Sequence, residues 1–299
     1  MNYRVLITGA GGFLGAHLLD SAPEQIEPVA WLNRTRTFFP VIVVEGDLAD
    51  PPMREYTLEE AEPQAIIHLA AIADVAACEK DPKVSHAINV EATDAIARFA
   101  AARNLPFIFA STDMVFDGER APYKPSDNPA PLMTYGRQKA EAEVAVRQAN
   151  PDAIIARLPL MYGETVRPGR GMVQGMLDAL KAGKRPRLFV DEFRSAGHAR
   201  RIAEGLWNFL LAHRDGESRA GTWHFGGPER ISRLEFGQAV ARVWELDPGL
   251  LQASYQKDVK TGTARPADVS MDSFATFEAG FQHGSLLEEL ALIRENGLS

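Results

Sequence analysis

Apolar positions along this chain follow two rhythms. Short runs dominated by Val, Ile, Leu, Phe and Ala occupy residues 4–8, 27–32, 41–44, 65–69, 106–111, 153–157 and 222–225, and their length and β-branched content predict strands. Most are apolar from end to end, as expected of strands covered by helices on both faces of a sheet. Between them, Val84, Ile88, Ala92, Ala95, Ile96 and Phe99 recur at helical spacing and predict a helix over 84–103. Residues 135–148, rich in Ala, Glu, Lys and Gln, predict another. Strands separated by helices predict an α/β fold built on a parallel sheet.

The rhythm weakens after Arg157, where Gly163, Pro168, Gly169, Gly171, Gly183 and Pro186 interrupt the chain, and it partly resumes over 222–244. There Ser232 and Glu235 have the spacing of a capping box. The expected division is a nucleotide-binding domain of residues 1–158, to which 222–248 return, and a smaller C-terminal substrate-binding domain of 159–221 and 249–299.

The first predicted strand runs straight into Gly9-Ala10-Gly11-Gly12-Phe13-Leu14-Gly15 and then into an apolar helix. Without Cβ atoms such a loop turns sharply, lets backbone N–H groups approach a pyrophosphate and packs the helix closely on the strand. A glycine-rich turn that only links strand to helix is the plainer alternative. Strand, loop and helix in register favour a dinucleotide and a Rossmann-type doubly wound sheet. About 20 residues further on, such folds present an acid to the ribose of NAD or an arginine to the 2′-phosphate of NADP. Here the second strand ends in Trp31-Leu32-Asn33-Arg34. Arg34 therefore points to NADP(H), with NAD(H) still admitted, and the expected preference for NADPH is at least about tenfold in affinity; a solvated surface arginine is the alternative.

Tyr135 and Lys139 stand four residues apart on the second predicted helix and so share one face. Reduction of a carbonyl needs a proton donor, and a phenol with a pKa near ~10 serves only beside a cation that stabilises its phenolate. Thr112 ends the predicted strand 106–111, at the carboxyl edge where doubly wound sheets bind ligands. Its hydroxyl suits the developing oxyanion, or else it caps the turn that follows.

Charge and composition narrow the partners. A net charge of −8 argues against nucleic acid or an anionic membrane, and no apolar run approaches the ~20 residues of a membrane-spanning helix. Cys78 is the single cysteine, so no internal disulfide is expected and a cytoplasmic location is favoured. The early strand leaves no room ahead of it for a signal sequence. Histidine and cysteine spacing predicts no metal site.

Taken with Gly46-Asp47-Leu48, His68-Leu69-Ala70-Ala71, Ser111-Thr112-Asp113-Met114-Val115-Phe116-Asp117-Gly118 and Arg265-Pro266-Ala267-Asp268, the chain resembles the extended short-chain dehydrogenase/reductases, and within them the dTDP-4-dehydrorhamnose reductase group. The resemblance implies that Thr112, Tyr135 and Lys139 are catalytic. It further implies that Gly9, Gly12, Phe13, Leu14, Gly15, Arg34, Asp47, Leu48, Leu69, Ala70, Ala71, Tyr135, Lys139 and Pro159 contact the cofactor. Asp113, Arg194 and Arg265 are the substrate candidates. Asn89 matches an asparagine of the family and equally suits a structural role. The implied activity is NADPH-dependent reduction of a keto group on a nucleotide-activated deoxysugar, with a homodimer left open. The run 158–164 is also similar to the regulatory β subunit of methionine adenosyltransferase, which makes an NADP-binding regulatory module the alternative; another short-chain reductase or epimerase is a further one. Met114 stands where sugar-nucleotide dehydratases carry Glu, which disfavours elimination chemistry.

Overall fold

The computed structural model describes residues 2–33, 36–164, 171–259 and 265–297. Six strands come first along the chain: β1 (Tyr3–Thr8), β2 (Ile26–Leu32), β3 (Ile42–Glu45), β4 (Ala65–His68), β5 (Phe107–Thr112) and β6 (Ile154–Leu158). Shorter ones follow, β7 (Met161–Tyr162), β8 (Arg187–Phe189), β9 (Phe193–Arg194) and β10 (Gly197–His198), then β11 (Gly221–His224), β12 (Ile231–Ser232) and β13 (Gln252–Ser254). The helices are α1 (Phe13–Asp20), α2 (Pro51–Ala61), α3 (Val75–Lys80), α4 (Pro82–His86), α5 (Ala92–Ala102), α6 (Thr134–Ala149), α7 (Met172–Lys181), α8 (Ala199–Arg214), α9 (Arg233–Val243), α10 (Phe274–Glu278) and α11 (Leu286–Glu295).

Seven of the strands form one sheet in the order β11-β6-β5-β4-β1-β2-β3, and every neighbouring pair is parallel. The strand order reverses beside β1, the switch point where doubly wound sheets open a crevice. Ile7, Leu14, Leu18, Leu206, Trp207 and Phe225 fill one face of the sheet, and Leu6, Trp31, Ile96, Phe109, Ala142 and Ile155 the other. Each predicted strand lies within a residue of its observed position. The expectation of uniformly apolar, covered strands fails at β3, where Ile42 and Val43 are exposed. It is the edge strand of the sheet, so one side has no neighbour.

The helix expected over 84–103 is interrupted. Between α4 and α5, residues Ala87–Glu91 widen into a π turn, which inserts one residue and rotates everything before it relative to the stripe after it. Ala92 and Ile96 are buried as expected, but Val84 is 51% exposed and Ser85 faces inward in its place. Asn89 occupies the turn, accepting from the Ile72 amide at 2.8 Å and donating to Gln138 Oε1 at 2.8 Å. Its observed bonds are structural.

A separate apolar cluster joins Tyr162, Val173 and Leu177 to Phe236, Val240, Leu290 and Ile293. This packing redistributes two pieces of the expected division. Helix α8, within 159–221, packs on the main sheet, with Trp207 Nε1 donating to the Leu18 carbonyl at 3.0 Å. Helix α9, within 222–248, packs against α7 and α11 instead; only β11 of that stretch joins the sheet. Both helices are amphipathic, and amphipathicity does not say which apolar surface a helix will cover. The capping box forms as read, with Ser232 accepting from the Glu235 amide at 3.1 Å and the Glu235 carboxylate accepting from the Ser232 amide at 2.7 Å.

Candidate active site

At the carboxyl end of β1 the chain turns through Gly9, whose φ of +69° is readily adopted only by glycine and whose Cβ position would lie 2.8 Å from the Ala70 nitrogen. A Cβ on Gly15 would lie 2.5 Å from the Gly9 carbonyl oxygen and 2.6 Å from the Ala10 Cα, both rigid backbone. These contacts hold α1 close to β1. Helix α1 begins at Gly12 with no side-chain cap, whereas Asp50, Asp74, Ser232 and Ser285 cap other helices. Its leading amides are thus left for an anion, and the helix dipole favours one there.

A cleft of about 270 Å³ opens over this helix end. Of the residues expected at the cofactor, Gly9, Gly12, Phe13, Leu14, Gly15, Leu69, Ala71, Tyr135, Lys139 and Pro159 line it, together with Thr112. Ser111, Leu158 and Met161 also line it and were not foreseen; they neighbour motif residues and carry no spacing signal of their own. Ala70 is held behind the wall by its amide, which donates to Thr8 Oγ1 at 3.1 Å. The structure does not bring Asp47 and Leu48 to this cleft. Asp47 accepts from the Ala49 amide at 2.9 Å, and Leu48 is buried in the core beneath β2 and β3. Arg34 lies outside the described residues.

Thr112, Tyr135 and Lys139 converge at the cleft because β5 ends where α6 begins its run across the same face of the sheet. The Thr112 hydroxyl donates to Asp113 Oδ1 at 3.2 Å and accepts from the Met114 amide at 3.2 Å, so it caps the short turn as well as facing the cleft. The capping reading of this threonine is therefore realised, and its place on the cleft leaves the catalytic one open. Burial, and then the charge of Asp113, push the Tyr135 phenol above its ordinary value, opposed by a hydrogen bond with Thr112. Lys139 is 2% exposed, and burial pulls its ammonium down to about 7 against the attraction of Glu143. Glu143, fully buried one turn along α6, receives both prongs of Arg157 at 2.9 and 2.8 Å and the Ser111 hydroxyl at 2.5 Å.

On the far side of Thr112 the site changes character. Asp113 is buried and raised to about 6 by burial, offset in part by Arg194 3.8 Å away; among the described residues its Oδ2 has no hydrogen-bond partner. Arg194 also lies 3.5 Å from Glu192, and Arg233 approaches the same carboxylate at 3.8 Å. Burial lowers the Arg233 pKa against the charge of Glu192, and the charges of Arg194 and then of the exposed Arg265 add to the fall. Two arginines thus flank Glu192, with Arg265 near Arg233. Arg233 was missed in the sequence because, as the first residue of α9 after a capping serine, it reads as an ordinary helix start.

The family described as RmlD substrate binding domain matches residues 3–291. Over 292 residues, 96% of this chain and 96% of the relative, the chain is 32% identical to Probable low-salt glycan biosynthesis reductase Agl14 of Haloferax volcanii. Over 278 residues, 91% of this chain and 80% of the relative, it is 29% identical to Methionine adenosyltransferase 2 subunit beta of Pongo abelii. The crystal structure of dTDP-4-dehydrorhamnose reductase from Bacillus anthracis in complex with NADP superposes with a TM-score of 0.85, covering 99% of this chain and 100% of that one. At 22% identity, that likeness is one of fold. With a match that runs from β1 into α11 over a parallel sheet opened by an uncapped glycine turn, the chain belongs to the RmlD substrate-binding-domain family of oxidoreductases.

Proposed function

We propose that this protein reduces a keto group on a nucleotide-activated deoxysugar with NADPH. The observation that carries the reading is the meeting of Thr112, Tyr135 and Lys139 in the cleft that opens over the uncapped end of α1. The residues fit a dinucleotide: bare amides of the α1 terminus suit its diphosphate, and the apolar wall of Leu69, Leu158 and Pro159 suits flat rings. When bound, the nicotinamide supplies the hydride. Thr112 would turn its hydroxyl from Asp113 to the substrate oxygen and stabilise charge there. Tyr135 delivers the proton to that oxygen, and the Lys139 ammonium lowers the cost of the phenolate that remains. Arg194, Arg233 and Arg265 supply positive charge for a nucleotide diphosphate, with Asp113 beside the reacting sugar. Support for NADPH comes from Arg34 and from the NADP bound in the Bacillus anthracis structure.

The relative named as a methionine adenosyltransferase subunit favours a second reading, an NADP-binding module that serves a partner protein. The intact Thr112, Tyr135 and Lys139 favour the enzyme. Following NADPH absorbance with a panel of nucleotide-linked 4-ketosugars separates the two. The reductase reading expects turnover that Tyr135→Phe abolishes; tight NADPH binding without turnover on any member of the panel supports the regulatory module.

A further inference from the structure

Lys139 carries its charge in a place with little to sustain it. Its side chain is almost fully buried, and among the described residues its ammonium takes no hydrogen bond. The carboxylate nearest in sequence on its own helix, Glu143, is already engaged by the two prongs of Arg157 and by Ser111, with Arg147 a further 3.6 Å away. The Arg157 guanidinium offsets the Glu143 charge, and the pull of Glu143 on Lys139 does not outweigh burial. Strand β5 offers a different partner. Alternation along the strand turns Phe109 and Ser111 toward α6, and the Lys139 Nζ lies 4.0 Å from the centroid of the fully buried Phe109 ring. The negative face of an aromatic ring attracts a desolvated cation.

The environment of that ring is arranged in keeping with this. His68, opposite Phe109 in the β4–β5 register, stacks with it at 6.0 Å and 20° between planes. Its ring nitrogens bond Thr8 at 2.7 Å and Thr93 at 3.0 Å. Burial first, and the Lys139 charge second, hold His68 down to about 3, so it stays neutral and does not repel the ammonium. Tyr135 on α6, protonated throughout the physiological range, adds no opposing charge. We propose that Phe109 is the positioning residue for Lys139, its ring face keeping the ammonium charged and seated at the floor of the cleft. The catalytic consequence rests on the reductase reading; the charge on Lys139 does not.

The test is a titration of the full chain carrying lysine labelled with carbon-13 at Cε, in which the Lys139 resonance is assigned by its loss in Lys139→Arg. Phe109→Leu keeps an apolar side chain but removes the ring, and the Lys139 pKa is expected to fall by about one unit. Phe109→Tyr retains the face and the native value. Should Phe109→Leu fold poorly, 3,4,5-trifluorophenylalanine placed at 109 keeps the shape and weakens the ring face; the same fall is expected. An unchanged pKa in either variant overturns the proposal. So does a rise, the sign expected if water merely entered the gap left by the ring. The alkaline limb of kcat/KM for a nucleotide-linked 4-ketosugar should move with the Lys139 pKa. A shifted lysine in a chain that reduces no ketone leaves the Phe109 assignment standing and removes the reductase reading.

Discussion

The two sides of Thr112 recognise charge by different means. On the glycine side, α1 offers bare backbone amides and the surroundings are apolar; the residues come from one stretch of seven, Gly9 to Gly15. On the arginine side, Asp113, Glu192, Arg194, Arg233 and Arg265 come from four separate segments, and formal charges face one another at 3.5–3.8 Å. Backbone amides survive every substitution except proline, so the first side should fail mainly by steric intrusion. Side-chain charges vanish with their residues and leave partners unpaired, so the second should fail by electrostatics.

Predictions that break or sharpen this contrast can be ranked by size. Tyr135→Phe, at the boundary of the two sides, should lower kcat about a thousandfold while leaving the Kd for NADPH within twofold, since a general acid contributes typically ~10²–10⁴; stopped-flow reduction and fluorescence titration read the two quantities. Gly15→Val should raise the Kd for NADPH about a hundredfold, because the contacts its Cβ meets are backbone and cannot yield. Unaltered binding would mean that the close approach of α1 to β1 is not what shapes the anion site. Arg194→Met should act on the other side only, raising KM for the nucleotide-sugar about tenfold with NADPH affinity unchanged. It should also move the Asp113 pKa above its present value of about 6, as the remaining stabilising guanidinium is withdrawn.

The smallest effect concerns the packing that carries both sides. His198 bonds Glu289 at 2.7 Å and Glu164 at 3.0 Å, tying α11 to the segment that follows β7. Burial opposes its charge, but hydrogen bonds to Glu164 and Glu289 prevail and raise its pKa. A raised histidine contributes stability fully below about 6.5, and that contribution is lost as pH rises through the folded value. Glu164 and Glu289, both held at about 2 with His198 the main favourable partner against burial, contribute above about 4.5 and lose it only as pH falls through about 2. Burial keeps the neighbouring His17 and His283 low, which gives them the opposite slope below about 6.5. Between pH 6 and pH 9 the native chain should therefore lose a few degrees of Tm relative to His198→Gln, about what 1 kcal/mol moves a chain of this size. Equal slopes in the two proteins would show that His198 carries no charge in the fold.

Legibility followed the same divide. The glycine turn, the Tyr135–Lys139 pair and each sheet strand were readable because each depends on neighbours within a few residues, where spacing encodes geometry. Val84 misled because one residue inserted at the π turn shifts a helical stripe without leaving a mark in the pattern. Asp47 and Leu48 were carried over by resemblance, and the first closes its own turn while the second fills a core.

By itself the sequence determined a parallel sheet whose first turn suits an anion and whose fifth strand and sixth helix carry a hydroxyl, a phenol and an ammonium. Hydrophobic periodicity and glycine placement are local instructions, and local sterics carry them out. Tertiary structure alone decided that α8 covers the sheet while α9 covers α7 and α11, that Arg233 joins Arg194 at Glu192, and that Lys139 rests on the ring of Phe109. Those choices depend on which buried surfaces meet across long sequence separations, where desolvation makes each contact strong and no spacing rule records the partner.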